Sequence, residues 1–222
     1  MKRCLLVWLV AINLAFLSGC GKDHDTVGDA PRTESASNLS GWKEISTSGI
    51  ALQLPSDWKA MEISRETLER GEDKVFGNDP KMAAMRSQAT ALAKQGAVKL
   101  FAVDTSSVST GFATNCNVAV IDEPGQPTLE QVADATVLQV TPMTADGKAP
   151  RLEYPTFKSG KAALVLSKVK SPNPAIPALL SLLYISHKGS KFVTVTFTGI
   201  ASDEPQLRKV AEQSMDTFRF TN

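Results

Sequence analysis

Apolar positions along the chain fall into three regimes. Cys4 to Leu17 is a run of 14 residues broken only by Asn13. Gly21 to Ser40, reading GKDHDTVGDAPRTESASNLS, is polar and has no period. A segment so poor in large apolar groups cannot bury enough surface to offset its chain entropy, and it reads as a flexible tether over 20–40. From Gly41 onward, short apolar runs alternate with turn residues, the pattern of one folded domain over 41–222.

Within that domain Trp42 and Ile45 open a strand, and Ile50-Ala51-Leu52-Gln53-Leu54 makes a second. Pro55 to Trp58 is a turn, after which the chain is extended to Ile63 with Trp58, Met61 and Ile63 as anchors. Ser64 caps a short helix that stops at Gly71. Asp79-Pro80 starts a longer helix running to about Gln95, with Gly96 as its stop and Met82, Met85, Ala89 and Leu92 on one face. Val98–Val103 and Asn117–Ile121 are strands. Thr128 and Gln131 stand at capping-box spacing before a helix that buries Leu129, Val132, Ala133, Thr136, Val137 and Val140. Four strands follow, Arg151–Thr156, Ala162–Lys168, Leu179–Ser186 and Phe192–Thr198, the last two joined by a turn from His187 to Lys191 around Gly189. A final helix takes Ser202 as cap, places Asp203 and Glu204 at its positive end, and buries Leu207, Val210, Ala211, Ser214 and Phe218. Hairpin-length connections in the second half predict an α+β fold, a twisted antiparallel sheet with helices packed on it, rather than a parallel nucleotide-binding sheet.

The amino-terminal run is too short to cross the ~30 Å hydrocarbon core, which takes ~20 helical residues. Behind Lys2 and Arg3 it has the length of a signal-peptide core. Leu17-Ser18-Gly19-Cys20 then resembles the lipobox of bacterial lipoproteins. That resemblance implies cleavage between Gly19 and Cys20, removal of residues 1–19, a diacylglycerol on the Cys20 thiol and acylation of the new amine. Gly21, where retention at the inner membrane typically uses Asp, implies the outer membrane facing the periplasm. Cleavage takes away Lys2 and Arg3 and no acid. The 24 basic and 23 acidic side chains of the full chain thus become 22 and 23, a net charge of −1. Acyl chains, at ~0.8 kcal/mol per buried methylene, are then the anchor rather than attraction to anionic lipid.

Charge balance also bears on partners and chemistry. No basic stripe is present to neutralise phosphates, so no nucleic-acid partner is expected. Three cysteines and two histidines are a poor stock for a metal cluster, and no metal or cofactor is expected. His24, between Asp23 and Asp25, belongs to the tether and reads as a solvated cluster. Fragments of the motif set of penicillin-recognising serine enzymes occur: Ser56-Asp57-Trp58-Lys59, Ser171-Pro172-Asn173 and Lys158-Ser159-Gly160. Their chemistry needs Ser56 and Lys59 on one helical turn, whereas Pro55 and Trp58 place them at a turn entering a strand. His187 reads as a polar turn residue, Cys116 as a small core residue, and Asp122-Glu123 as turn chemistry. The loop from Ser171 to Pro177, stiffened by three prolines, is a candidate partner contact through Pro172, Pro174, Ile176 and Pro177.

The order of elements resembles the PsbP/Mog-like superfamily, including bacterial DcrB-like lipoproteins. Its carriers are Gly49-Ile50 through Leu54-Pro55 to Trp58, the Leu129-Glu130-Gln131-Val132-Ala133 helix and the Ser159-Gly160-Lys161-Ala162 strand entry. The close, from Phe192-Val193 and Thr196 through a helix to Ser214-Met215 and Phe218, completes it over residues 41–222. The resemblance implies an α/β/α sandwich and an accessory or binding role without catalysis. The expected function is therefore a lipid-anchored envelope protein with a protein partner in the envelope. The alternative is a carrier holding a small apolar ligand or lipid in a groove between helix and sheet.

Overall fold

The alternating strands assemble around one long hairpin. The computed structural model describes residues 40–63, 96–110, 112–123, 125–171, 176 and 178–221. Seven strands form the main antiparallel sheet: β3 (Lys59–Glu62), β4 (Val98–Val103), β5 (Asn115–Asp122), β6 (Arg151–Glu153), β9 (Ala163–Val169), β10 (Leu179–Lys188) and β11 (Lys191–Ile200). Their spatial order is β3-β4-β5-β11-β10-β9-β6. A second sheet has the order β1-β2-β12, built from β1 (Trp42–Thr47), β2 (Ile50–Pro55) and β12 (Arg219–Phe220). The short pair β7 (Thr156–Phe157) and β8 (Gly160–Lys161) makes a separate ribbon. Two α-helices are described, α1 (Leu129–Val140) and α2 (Glu204–Thr217). The α+β class, with helices on an antiparallel sheet, is the one expected.

Each face of the main sheet has its own cover. On one face Leu164, Leu182, Tyr184, Val195 and Phe197 pack with Leu207, Ala211 and Met215 of α2 and with Ile50, Leu52 and Leu54 of β2, a single apolar cluster closed by Trp58. On the other, Ala163, Val165, Leu183, Ile185 and Phe192 pack against Leu129, Val132 and Ala133 of α1. Gly199 allows α2 to approach β11, because a Cβ there would stand 3.2 Å from a Leu207 methyl. Ion pairs tie the helices to the sheet margins: Arg208 of α2 to Glu153 of β6 at 2.7 Å, and Lys161 of β8 to Glu130 of α1 at 2.8 Å.

The α1 start is the predicted capping box. Thr128 Oγ1 accepts the Gln131 amide at 3.2 Å, and Gln131 Oε1 accepts the Thr128 amide at 2.9 Å. Thr128→Ala removes the acceptor for one orphan amide, and the expected loss is about 1 kcal/mol of unfolding free energy, read as a lower urea midpoint at unchanged slope.

Four local expectations are corrected. The strand expected over Arg151–Thr156 is interrupted, with β6 ending at Glu153 and β7 starting at Thr156. Pro155 has no amide to donate, and its carbonyl instead accepts from Ala162 at 3.0 Å. The turn after β10 is only Gly189-Ser190, since Lys188 pairs with Lys191 and Gly189 takes φ 62°. A two-residue hairpin beginning with Gly suits the strand twist, so His187 lies on a strand. Ser202 does not cap α2. Its hydroxyl donates to the Asp203 carboxylate at 3.0 Å, and Pro205 in the first turn leaves one amide fewer to satisfy. Finally, Met215 is fully buried while Val210 is only half-buried. Leu207, Ala211 and Met215 form one i, i+4 row down the helix, the geometry that faces a flat sheet. The helices expected over 64–71 and 79–95 lie outside the described residues.

Candidate functional site

The residues singled out from the sequence do not converge on one place. Ser56 lies exposed in the turn after β2, where its amide donates to Gly41 O at 2.9 Å, and Lys59 is the exposed first residue of β3, paired with Val103. No hydrogen bond joins the two side chains among the described residues. Lys158 and Ser159 sit in the β7–β8 turn at the far margin of the main sheet, beside β6 and β9. The serine-enzyme geometry is therefore not assembled. His187 stacks on Phe192 across the β10–β11 hairpin, with ring centroids 5.1 Å apart. Cys116 is fully buried in the larger core, and burial pushes its thiol pKa up, away from the nucleophilic thiolate. Among the described residues no group of three or more His, Cys, Asp or Glu could hold a metal ion, and no helix is long and apolar enough to cross a membrane.

Ile176 corrects the expectation of an outward contact. It is buried in a small cluster with Val169 and Leu179, against which Phe112 and Ile200 pack. Pro172, Pro174 and Pro177 lie outside the described residues, as do Gly19 and Cys20.

A feature not predicted from the sequence lies on the α1 face of the main sheet. The strand β11 alternates, with Val193, Val195 and Phe197 facing the larger core and Thr194, Thr196 and Thr198 facing the α1 side. Register places Asn117 beside Thr196 and Asn115 beside Thr198, while Ser181 of β10 flanks Thr198 on its other side. Ser167 of β9 continues that last row beside Ser181. The result is a neutral polar strip across the centre of the sheet, and every member of it is buried.

Its hydrogen bonding is incomplete. Asn115 donates through Nδ2 to Ala113 O at 3.0 Å, which fixes its orientation, but its Oδ1 accepts nothing. The hydroxyls of Thr194 and Thr196 are also buried without a partner. On α1, which covers the β9–β10 side of this face, Gln139 Oε1 is buried and unpartnered as well. A buried polar atom left unpaired costs roughly 1–3 kcal/mol, and such atoms occur on the α2 side as well, at the Tyr184 and Ser214 hydroxyls.

Sequence reasoning passed over these residues because Val-Thr-Val-Thr-Phe-Thr reads as a half-buried strand with its threonines in water. The available signal was their companionship with Asn115 and Asn117, which flank a core cysteine. Beside the strip, the contact between α1 and the sheet is filled by packed apolar side chains.

No protein family and no curated protein matches the chain by sequence. Several solved structures are similar to it. The solution structure of cyanobacterial PsbP (CyanoP) from Synechocystis is 11% identical, the match covering 85% of this chain and 97% of that one with a TM-score of 0.49. LpqN, involved in cell envelope biogenesis of Mycobacterium tuberculosis, is 8% identical over 82% of this chain and 91% of its own, with a TM-score of 0.47. The Ran-binding protein Mog1p of Saccharomyces cerevisiae is 11% identical over 81% and 95%, with a TM-score of 0.46. Proteins of the PsbP and Mog types, named by the sequence resemblance, are thus among the structures this chain is similar to.

Proposed function

We propose that the chain is a lipid-anchored lipoprotein of the cell envelope, at the periplasmic side of the outer membrane, whose domain over 41–222 binds rather than catalyses. The observation that carries this reading is the order Lys2-Arg3, a 14-residue apolar run, then Leu17-Ser18-Gly19-Cys20. Each part acts physically: positive charge holds the near side of the membrane, the run inserts without spanning, and small residues open the backbone to a peptidase. A tether of polar residues then lets the domain stand off the lipid and meet a partner protein in the envelope. A binding role is supported by the separation, among the described residues, of Ser56, Lys59, His187 and Cys116.

Intact mass of the membrane-extracted protein from a Gram-negative host tests the anchor. The expected species starts at Cys20 and carries the added mass of two or three acyl chains. A chain that retains residues 1–19, or starts at Cys20 without added mass, overturns the proposal.

A further inference from the structure

We infer that residues 151–161 form a strap that opens as a unit while the rest of the main sheet stays paired, and that Arg208 of α2 is the latch that holds it shut. The inference goes beyond the binding role proposed above and does not depend on the lipid anchor.

The strap wraps the margin of the sheet and touches both of its covers. β6 pairs with β9 only from Arg151 with Leu166 to Glu153 with Leu164. The chain then folds back as the β7–β8 ribbon, whose bonds are internal: Thr156 pairs with Lys161, and the Ala162 amide donates to Pro155 O at 3.0 Å. One half-buried apolar side chain anchors the strap on each face. Leu152 packs against the α1 cluster, and Phe157 against the α2 cluster, its ring edge-on to Tyr184 at 5.7 Å. No residue from 151 to 161 is buried. A two-stranded ribbon is marginal by itself, and a segment with so little buried surface opens well below the free energy of global unfolding.

Two ion pairs close the strap, one on each face, and they are unequal. Lys161 and Glu130 meet at 2.8 Å with side chains 53% and 52% exposed, so water screens the pair and it holds little. Arg208 and Glu153 meet at 2.7 Å with side chains 27% and 32% exposed. Each partner of that pair is fixed from its own element: Arg208 Nε donates to Glu212 Oε1 at 2.9 Å, and Glu153 Oε1 takes Arg151 Nε at 2.6 Å. Closing the Arg208 contact therefore orders little that is still free.

Opening bares the outer edge of β9 from Leu164 to Leu166, while its continuation to Val169 is held separately by the segment around Thr144 and Ala145. A bare strand edge is a template for pairing with another chain, so the latch controls access to this margin.

Hydrogen exchange of the full-length protein, read by mass spectrometry over 151–161 and over 179–200, tests the inference. In wild type the strap exchanges about tenfold faster than β10 and β11, or more. Arg208→Gln and Glu153→Gln break the same contact from opposite sides. Each speeds strap exchange a further fivefold, roughly, and leaves 179–200 within about twofold, whereas Lys161→Gln moves the strap less than about twofold. Strap and hairpin exchanging at one rate in wild type overturns the inference. So does a strap unmoved by either latch variant, or a latch variant that speeds 179–200 in equal proportion, since the contact would then hold the whole domain. A Lys161→Gln effect as large as that of the latch variants overturns the role given to Arg208. Where Arg208→Gln does not fold, Glu153→Gln decides.

Discussion

Cys20→Ala is expected to abolish stable membrane association. Two acyl chains of roughly fifteen methylenes each, at ~0.8 kcal/mol per buried methylene, give on the order of 20 kcal/mol of transfer free energy, against which a single chain is only marginal. Nothing in the sequence from Cys20 onward supplies a substitute. The 14-residue run falls short of the ~20 residues needed to span the bilayer, and a mature charge of −1 gives no attraction to anionic lipid. Fractionation in the presence of a zwitterionic detergent series separates the cases. Wild type leaves the pellet only with detergent and is indifferent to 1 M salt, while the variant lacks acyl mass and leaves the pellet without detergent. A variant that stays in the membrane fraction as firmly as wild type would overturn the lipid-anchor proposal, and salt-released wild type would point to a protein or electrostatic tether instead. Folding of the domain is a separate property, and its unfolding midpoint is expected to be unchanged by this substitution.

The largest expected stability effect is inside the folded domain. Phe197 is fully buried at the meeting point of three elements, edge-on to Trp58 at 6.3 Å and to Tyr184 at 6.5 Å between ring centroids. It also lies beside Cys116 in the adjacent strand. Phe197→Ala deletes the ring and leaves a cavity that a paired strand cannot collapse to fill, a loss of about 3–5 kcal/mol. Against a typical total of roughly 5–15 kcal/mol, that takes the domain to the edge of folding. Urea unfolding followed by Trp58 fluorescence reads it as a large fall in midpoint. A loss under about 1 kcal/mol would mean that the two-sheet cluster is not the core that holds the domain together.

The two predictions separate what local sequence could say from what it could not. Capping at Thr128 and Gln131, the strand runs and the helical row from Leu207 depend on residues within a turn or two of one another. Periodicity and side-chain chemistry report them directly, and the α+β class follows from their order. The lipobox expectation is local in the same sense, four residues read by an enzyme. Where local reasoning failed, a distant residue decided, or a neighbour with a stronger local effect. Ser202 falls within the short 3₁₀ turn Ala201–Asp203 that precedes the helix, which leaves Asp203 at the cap position. Ile176 looked outward in the sequence because its cluster with Val169 and Leu179 is completed by Phe112 and Ile200, which arrive from other segments.

The polar strip shows the same limit most clearly. Sequence alone determined that β11 would alternate threonine with large apolar residues, because a strand has a period of two. Only the tertiary structure decided what the threonine face means. Insertion of β11 between β5 and β10 sets Asn117 beside Thr196 and Asn115 beside Thr198, and the face they share is buried rather than wet. Pairing between segments about eighty residues apart is a choice made by the whole core, and no property of either strand encodes it.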